Sequence, residues 1–217
     1  TAQQFAKHQW SAAPMGEHIQ TNDAVAPQTI INPARHSDVV GYVQEATTEQ
    51  VEQALNNAQA VQDIWARTAK DTRASYLLRA ADLMEARLEE LMVLLCRESG
   101  KTYANAIAEV REAVDFLRYY ATQMIDLDAN AEVEPLGTML CISPWNFPLA
   151  IFTGQVAAAL VAGNTVIAKP AEQTPLIAAQ AIQILWQAGV PQAAVQLMPG
   201  RGETVGAQLS SDDRIHG

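Results

Sequence analysis

Residues 136–163 have the sequence LGTMLCISPWNFPLAIFTGQVAAALVAG, which is the strongest indication of fold class in the chain. Its first seven residues form a short apolar run, which fits a buried strand of a parallel sheet better than an amphipathic helix. Two prolines then end the strand and fix a turn, because proline lacks the backbone donor that a central strand needs. Residues 153–163 are small and apolar and end in glycine, which is typical of a helix C-terminus. The stretch therefore predicts a strand, a turn and a helix in direct succession.

The same succession repeats along the rest of the chain. The predicted elements are strands at 165–170 and 194–198, a helix from Thr174 to about residue 187 closed by Gly189, a glycine-rich turn at 200–206 that leads into another helix, and the start of a fourth strand at 214–217. The signals for the helix from Thr174 are a threonine cap, a proline in the first turn and a glycine after the last turn. Alternating strands and helices predict an α/β protein with a Rossmann-like, doubly wound parallel sheet.

The chain divides into three segments of different character. Residues 1–27 are a polar lead without clear periodicity, which we interpret as a linker or surface segment. Residues 28–134 carry a strand pair, near 29–33 and 39–43, followed by long helices. Residues 135–217 hold the parallel sheet, which we expect to be incomplete at its carboxyl end.

Three helical regions are predicted in the second segment. Thr47 and Gln50 form a capping box ahead of the first, and the other two cover 71–100 and 102 to about 126. An apolar stripe on the third predicts its core-facing surface. The stripe consists of Ile107, Val110, Val114, Leu117 and Ala121.

Composition narrows the class of protein. Hydrophobic residues make up 49% of the 217 residues, which fits a globular core rather than a disordered or fibrous chain. The formal net charge of −10 argues against a nucleic-acid surface or an anionic membrane as partner. No apolar run is long enough to span a membrane, and no signal segment is evident at the start, so we expect a cytoplasmic protein. The two cysteines predict core residues rather than a disulfide framework, and the four scattered histidines argue against a metal site.

Several motifs carry a family resemblance. They are the segment PWNFP at 144–148, the turn Ala162-Gly163-Asn164, the segment KPAE at 169–172 and the spaced glycines. Together they resemble the aldehyde dehydrogenase superfamily. The longer segments CISPWNFPLAIFTGQ at 141–155 and AKPAEQT at 168–174 most resemble one branch, the pyrroline-5-carboxylate (glutamate semialdehyde) dehydrogenase domains of bifunctional proline utilization A proteins. The resemblance runs from about residue 28 to residue 217.

The resemblance implies an activity for the protein from which this segment comes. Such a protein oxidises L-glutamate γ-semialdehyde, formed from pyrroline-5-carboxylate, to L-glutamate with NAD, as a step of proline catabolism. A separate proline dehydrogenase domain that uses FAD would precede the segment, and the enzyme would form homo-oligomers. Residues 28–134 would then be the strand pair and helices of the NAD-binding and oligomerisation region, with a truncated NAD-binding core after them.

Asn146 is the candidate catalytic residue in this chain. Its amide follows a strand and can donate to an aldehyde oxygen that becomes negative as a nucleophile adds. A turn-forming asparagine bonded to its own backbone is the simpler interpretation where the flanking motif is absent. By resemblance, Asn146 is the oxyanion-hole side chain, and Phe147 is an aromatic wall beside the aliphatic chain of the aldehyde.

The candidate cofactor residues follow neighbouring strands. Lys169 ends an apolar strand, at the edge where open α/β sheets bind ligands, and Glu172 lies three residues later. A solvated surface ion pair is the alternative interpretation of these two residues. By resemblance they bind the adenosine ribose of NAD, Gly202 and Gly206 admit its adenine end, and the remaining cofactor contacts are Ile142, Ser143, Pro144 and Trp145. An acidic residue at the ribose disfavours a 2′-phosphate, so we predict NAD rather than NADP.

The reaction of the family needs a cysteine thiolate that we expect beyond residue 217. Cys141 lies inside a predicted strand and does not fill this role, so we expect the segment by itself to be inactive. Three alternatives stay open. They are another aldehyde dehydrogenase, a related reductase acting on γ-glutamyl phosphate with NADPH, and a non-catalytic dinucleotide-binding module.

Overall fold

The computed structural model of the protein describes residues 2–20, 25–127 and 133–217. The elements, in chain order, are β1 (Trp10–Ala12), β2 (Gln28–Asn32), β3 (Arg35–Val43), α1 (Thr48–Arg67), α2 (Lys70–Ala86), α3 (Leu88–Glu98), α4 (Tyr103–Asp126), β4 (Thr138–Ile142), α5 (Ala150–Val161), β5 (Thr165–Lys169), α6 (Pro175–Ala188), β6 (Val195–Leu197) and α7 (Ala207–Ser210). A short 3₁₀ helix (Ala2–Phe5) precedes β1, and a π-helical turn (Gly202–Gly206) precedes α7.

The parallel sheet has the strand order β4-β5-β6, with β5 in the centre. Ile215 adds a parallel bridge to Thr138, so the chain begins a further strand beside β4, as predicted. Alternate residues of β5 face opposite sides, because side chains alternate along a strand. Ile167 packs in a cluster with α1, whereas Val166 and Ala168 belong to the larger core that includes α5 and α6. Helices therefore cover both faces, and the predicted doubly wound α/β fold is confirmed.

The predicted cap at Thr47 is present, whereas the cap predicted at Thr174 is wrong: Thr174 makes no capping hydrogen bond, because Glu98 accepts from the first N–H groups of α6 instead. Thr47 Oγ1 accepts from the Gln50 backbone N–H at 3.3 Å, and Gln50 Oε1 accepts from the Thr47 N–H at 2.9 Å, which completes the capping box. Thr102 caps α4, because its side-chain oxygen accepts from the backbone N–H of Asn105. The predicted region 71–100 is two helices, α2 and α3, which meet at Arg87.

One residue of the predicted stripe on α4 was assigned wrongly. Val110, Val114, Leu117 and Ala121 are buried as predicted, but Ile107 is 37% exposed. Its neighbours on the buried face are Ala106 and Glu109 instead. The buried face of α4 therefore begins with Ala106 rather than Ile107, and it includes the carboxylate of Glu109.

The amino-terminal lead contributes to the core, which differs from its interpretation as a linker. β1 pairs in parallel with β3 in a second sheet of order β1-β3-β2, and Trp10 and Ala12 are buried. Met15 then forms an antiparallel bridge with Leu197 at the edge of β6. A strand of three residues is too short to produce a periodic signal in the sequence. The division into three segments stays a prediction.

Candidate functional site

The carboxyl ends of β4 and β5 lie side by side at one edge of the sheet, hereafter the carboxyl edge. Ile142 and Lys169 are partners in the parallel register, and the Ser143 N–H donates to the Lys169 carbonyl at 3.2 Å. The loop that follows β4 therefore starts beside the lysine that ends β5. Ligands of open α/β sheets bind at this edge.

Asn146 lies in the loop between β4 and α5. Its side chain is exposed, and in the described part of the chain it has no hydrogen-bond partner. The amide is therefore available to donate to a ligand rather than committed to its own turn. Its role as oxyanion donor stays a prediction.

Three apolar side chains of this region are unusually exposed. Ile142 is 48%, Trp145 56% and Phe147 41% exposed. Apolar surface grouped in one place is typical of a binding surface. Ser143, by contrast, is buried, and its hydroxyl has no hydrogen-bond partner in the described residues. The loop thus offers both apolar surface and an unused polar group at the carboxyl edge.

Lys169 is buried although it carries an ammonium group. It is only 4% exposed, and its Nζ donates to the Pro170 carbonyl at 3.1 Å. Burial lowers its pKa, while the negative charges of Glu172, Glu45 and Glu203 act in the opposite direction. An ammonium has three donors, so further hydrogen bonds remain open to a ligand. Glu172 is exposed three residues later.

The two candidate glycines differ in their surroundings. A Cβ at Gly206 would lie 3.3 Å from Lys169 Cε, so the missing side chain makes room for the lysine. A Cβ at Gly202 would meet no heavy atom within 4 Å and would point into open space. The fold thus brings Gly206 and Lys169 together, while Gly202 leaves room for a ligand at the start of the π-helical turn.

Glu109 was missed as a site residue by the sequence reasoning. It is 1% exposed, and its Oε1 accepts from the backbone N–H groups of Leu149 and Ala150 at 2.8 and 3.2 Å. Its Oε2 lies 2.8 Å from Lys101 Nζ, in an ion pair without hydrogen-bond alignment. The Lys101 ammonium also lies 4.6 Å from the centre of the Phe147 ring. The candidate loop is therefore held by two charged residues that precede it by about forty positions.

Glu98 caps α6 in a similar way. Its two carboxylate oxygens accept from the N–H groups of Leu176 and Ile177 at 2.7 and 2.9 Å. Burial raises its pKa to about 8, and the two backbone donors lower it by a smaller amount.

A signal for Glu109 did exist in the sequence, since an acidic residue interrupts the apolar stripe of α4.

The cysteines have the properties expected of core residues. Cys141 is 6% exposed, and burial raises the pKa of its thiol to about 12. Burial also raises the pKa of Cys96. Thiolates are the nucleophilic form, so neither thiol is activated at neutral pH.

Residues 2–20, 25–127 and 133–217 contain no group of three or more histidine, cysteine or acidic side chains suited to a metal ion. None of the helices in these ranges has the length and apolar character needed to cross a membrane.

Known proteins resemble the chain over nearly its whole length. The bifunctional protein PutA of Escherichia coli (strain K12) is 60% identical over 212 residues, which cover 98% of this chain and 16% of that protein. The 1-pyrroline-5-carboxylate dehydrogenase of Anoxybacillus flavithermus (strain DSM 21510 / WK1) is 40% identical over 211 residues, which cover 92% of this chain and 40% of that protein. The chain thus spans well under half the length of either relative.

A solved structure gives the same result for the fold. The 1-pyrroline-5-carboxylate dehydrogenase from Thermus with bound NAD superposes with a TM-score of 0.92 at 35% identity, over 99% of this chain and 44% of that one. The model of the aldehyde dehydrogenase family matches residues 19–217. The resemblance inferred from the motifs is confirmed, and the chain belongs to the aldehyde dehydrogenase family.

Proposed function

We propose that this chain is the cofactor-binding and oxyanion-stabilising part of an NAD-dependent dehydrogenase that oxidises L-glutamate γ-semialdehyde to L-glutamate in proline catabolism. Its relatives include PutA and 1-pyrroline-5-carboxylate dehydrogenases. The observation that carries the proposal is the pairing of Ile142 with Lys169, which starts the Asn146 loop and the buried lysine at the same edge. A small-molecule aldehyde and a dinucleotide can therefore meet at one place.

Asn146 would act on the reacting carbonyl. Addition of a nucleophile turns the aldehyde oxygen into an anion, and a fixed amide donor stabilises that charge more than it stabilises the neutral aldehyde. The exposed amide has no competing partner in the described residues. Phe147, exposed beside it, would line the aliphatic chain of the substrate and exclude water from it.

The residues around Lys169 fit NAD. A buried ammonium with unused donors and an exposed carboxylate three residues away suit the two hydroxyls of a ribose. Gly202 and Gly206 would lie against the adenine end, and Ile142, Ser143, Pro144 and Trp145 would line the path of the cofactor along the carboxyl edge. When bound, NAD supplies the acceptor for the hydride. Glu172 favours NAD because its charge would repel a 2′-phosphate.

The wider context follows from the relatives. PutA is named bifunctional, so we infer that the protein containing this segment also carries a proline dehydrogenase domain that uses FAD. We further infer a cytoplasmic homo-oligomer. The thiol of Cys141 is buried and protonated at neutral pH, so the 217 residues alone should not oxidise aldehydes.

A calorimetric titration of the chain, shown by circular dichroism to be folded, tests the cofactor assignment. We expect saturable binding of NAD and weaker binding of NADP. Lys169→Ala should weaken NAD binding, and Lys7→Ala, at an exposed lysine, should not. Gly202→Ala should also weaken binding while leaving the unfolding transition unchanged, because only a ligand would meet its Cβ.

Two results would contradict the proposal. Unchanged NAD affinity in Lys169→Ala would remove that lysine from the site. A preference for NADP would favour the γ-glutamyl phosphate reductase alternative. If the folded chain bound neither dinucleotide, the cofactor site would require residues outside this segment.

A further inference from the structure

Lys101 contacts two parts of the candidate site, the Phe147 ring and the carboxylate of Glu109. It lies in the turn between α3 and α4, and its side chain is 13% exposed. On one side its ammonium is 4.6 Å from the centre of the Phe147 ring. On the other it is 2.8 Å from Glu109 Oε2. Glu109 in turn binds the N–H groups at the start of α5.

The ion pair fixes where the ammonium lies. A carboxylate as buried as Glu109 is costly unless a cation and hydrogen-bond donors compensate its charge. Lys101 is the cation, and the N–H groups of Leu149 and Ala150 are the donors. The lysine is thus held in place by an interaction that does not depend on Phe147.

A cation over the face of an aromatic ring is attracted by the negative charge density of that face. Because the ammonium is fixed by Glu109, the attraction orients the ring rather than the lysine. Phe147 is 41% exposed, so packing alone does not immobilise it. The segment from Phe147 to Ala150 is therefore held at its first residue by the cation over the ring and at its end by the backbone hydrogen bonds to Glu109. Asn146 directly precedes this segment.

We propose that Lys101 is a positioning residue for aldehyde oxidation. It orients the Phe147 ring and, with Glu109, the chain that carries the Asn146 amide. The inference rests on the proposed function, in which Phe147 and Asn146 contact the aldehyde. Lys101 should therefore affect the oxidation of the aldehyde but not the affinity for NAD.

The kinetic test uses a full-length dehydrogenase that contains this segment. Lys101→Met keeps the apolar stem and removes the charge, and it should lower kcat/KM for the semialdehyde by about tenfold, since small displacements of positioned groups have effects of this size. The KM for NAD should stay within about a factor of two of wild type. Lys101→Arg should recover most of the activity because it retains a cation that stacks on rings. Lys7→Met is the matched control at an exposed lysine.

A double-mutant cycle separates positioning from general stability. Lys101→Met should have a smaller effect in a Phe147→Leu background than in wild type, because the part of its action that passes through the ring is already lost, whereas independent effects would add in full. Additive effects, or activity of Lys101→Met within about a factor of two of wild type, would overturn the proposal. Where Lys101→Met does not fold, Lys101→Gln replaces it.

Amide hydrogen exchange on the isolated chain tests the same contact without activity. In Lys101→Met the N–H groups of Leu149 and Ala150 should exchange about tenfold faster, because the carboxylate that binds them loses its cation. Unchanged exchange would contradict the role of the ion pair. If the wild-type dehydrogenase does not oxidise the semialdehyde at all, the proposed function fails, and the exchange measurement alone decides whether Lys101 holds this chain segment.

Discussion

The proposed oxyanion role of Asn146 predicts a large effect of a single side chain. Removing one oxyanion donor typically lowers kcat by roughly 100- to 1,000-fold. We expect a decrease of this size for Asn146→Ala in a full-length dehydrogenase, measured by NADH formation at saturating NAD, with no change in NAD affinity. Gln59→Ala removes an exposed amide from α1 and is the control. A turnover within about a factor of two of wild type would show that the asparagine only forms a turn.

Glu98 makes stability depend on pH. Its folded pKa is raised to about 8, so the folded protein binds the proton more tightly than the unfolded chain does. Its contribution is therefore complete below the unfolded pKa of about 4.5 and is lost as the pH rises through 8. The difference is on the order of 5 kcal/mol. Glu98→Gln does not titrate, so its urea unfolding free energy should fall less than that of wild type between pH 5 and pH 9. Equal pH dependence in both proteins would assign the effect to other groups.

At the scale of elements, α1 depends on its cap. Thr47→Ala removes the oxygen that accepts from Gln50 and should reduce the free energy of unfolding by roughly 1 kcal/mol. Urea denaturation at neutral pH measures this change. Thr204→Ala, at an exposed threonine of the π-helical turn, should have a smaller effect. If both variants unfold at the same urea concentration, the capping box does not stabilise the helix.

Local signals located most elements because their chemistry is local. The box at Thr47 and the positive φ of Gly189 at the end of α6 arise from neighbouring residues, so a single sequence reveals them. The start of α5 was placed too late, at residue 153 instead of Ala150. The donor groups of its first turn are satisfied by Glu109, which is distant in sequence, so no local cap marks the start.

At the scale of the whole molecule, the amino-terminal lead should be essential for stability. Trp10 is 4% exposed, its Nε1 donates to Glu90 at 3.2 Å, and the Arg97 guanidinium lies 5.4 Å from its ring centre. Trp10→Ala should reduce the free energy of unfolding by roughly 3 to 5 kcal/mol. Trp145→Ala is the control, since that ring is 56% exposed. Equal thermal stability of the two variants would restore the interpretation of the lead as a linker.

Some residues of the candidate site could be predicted from the sequence, and others could not. Asn146 follows β4 and Lys169 ends β5, and parallel strands end at a common edge, so topology alone places both residues at that edge. Lys101 contacts Phe147, which lies 46 positions later in the sequence. Glu98 accepts from the N–H of Leu176, which lies 78 positions later. Such contacts depend on how α3 packs against α6 and α4 against α5, which no periodicity in a single sequence encodes.

The two capping glutamates also determine where an anion cannot bind. The first turns of α5 and α6 face the carboxyl edge, where helices of dinucleotide-binding folds commonly hold phosphate with free N–H groups. Here Glu109 and Glu98 already occupy those groups. A phosphate at either helix would have to displace the carboxyl oxygens that already accept from these N–H groups. A dinucleotide bound at the carboxyl edge would therefore need donors other than these two helix ends for its pyrophosphate, which differs from the common arrangement at a helix N-terminus.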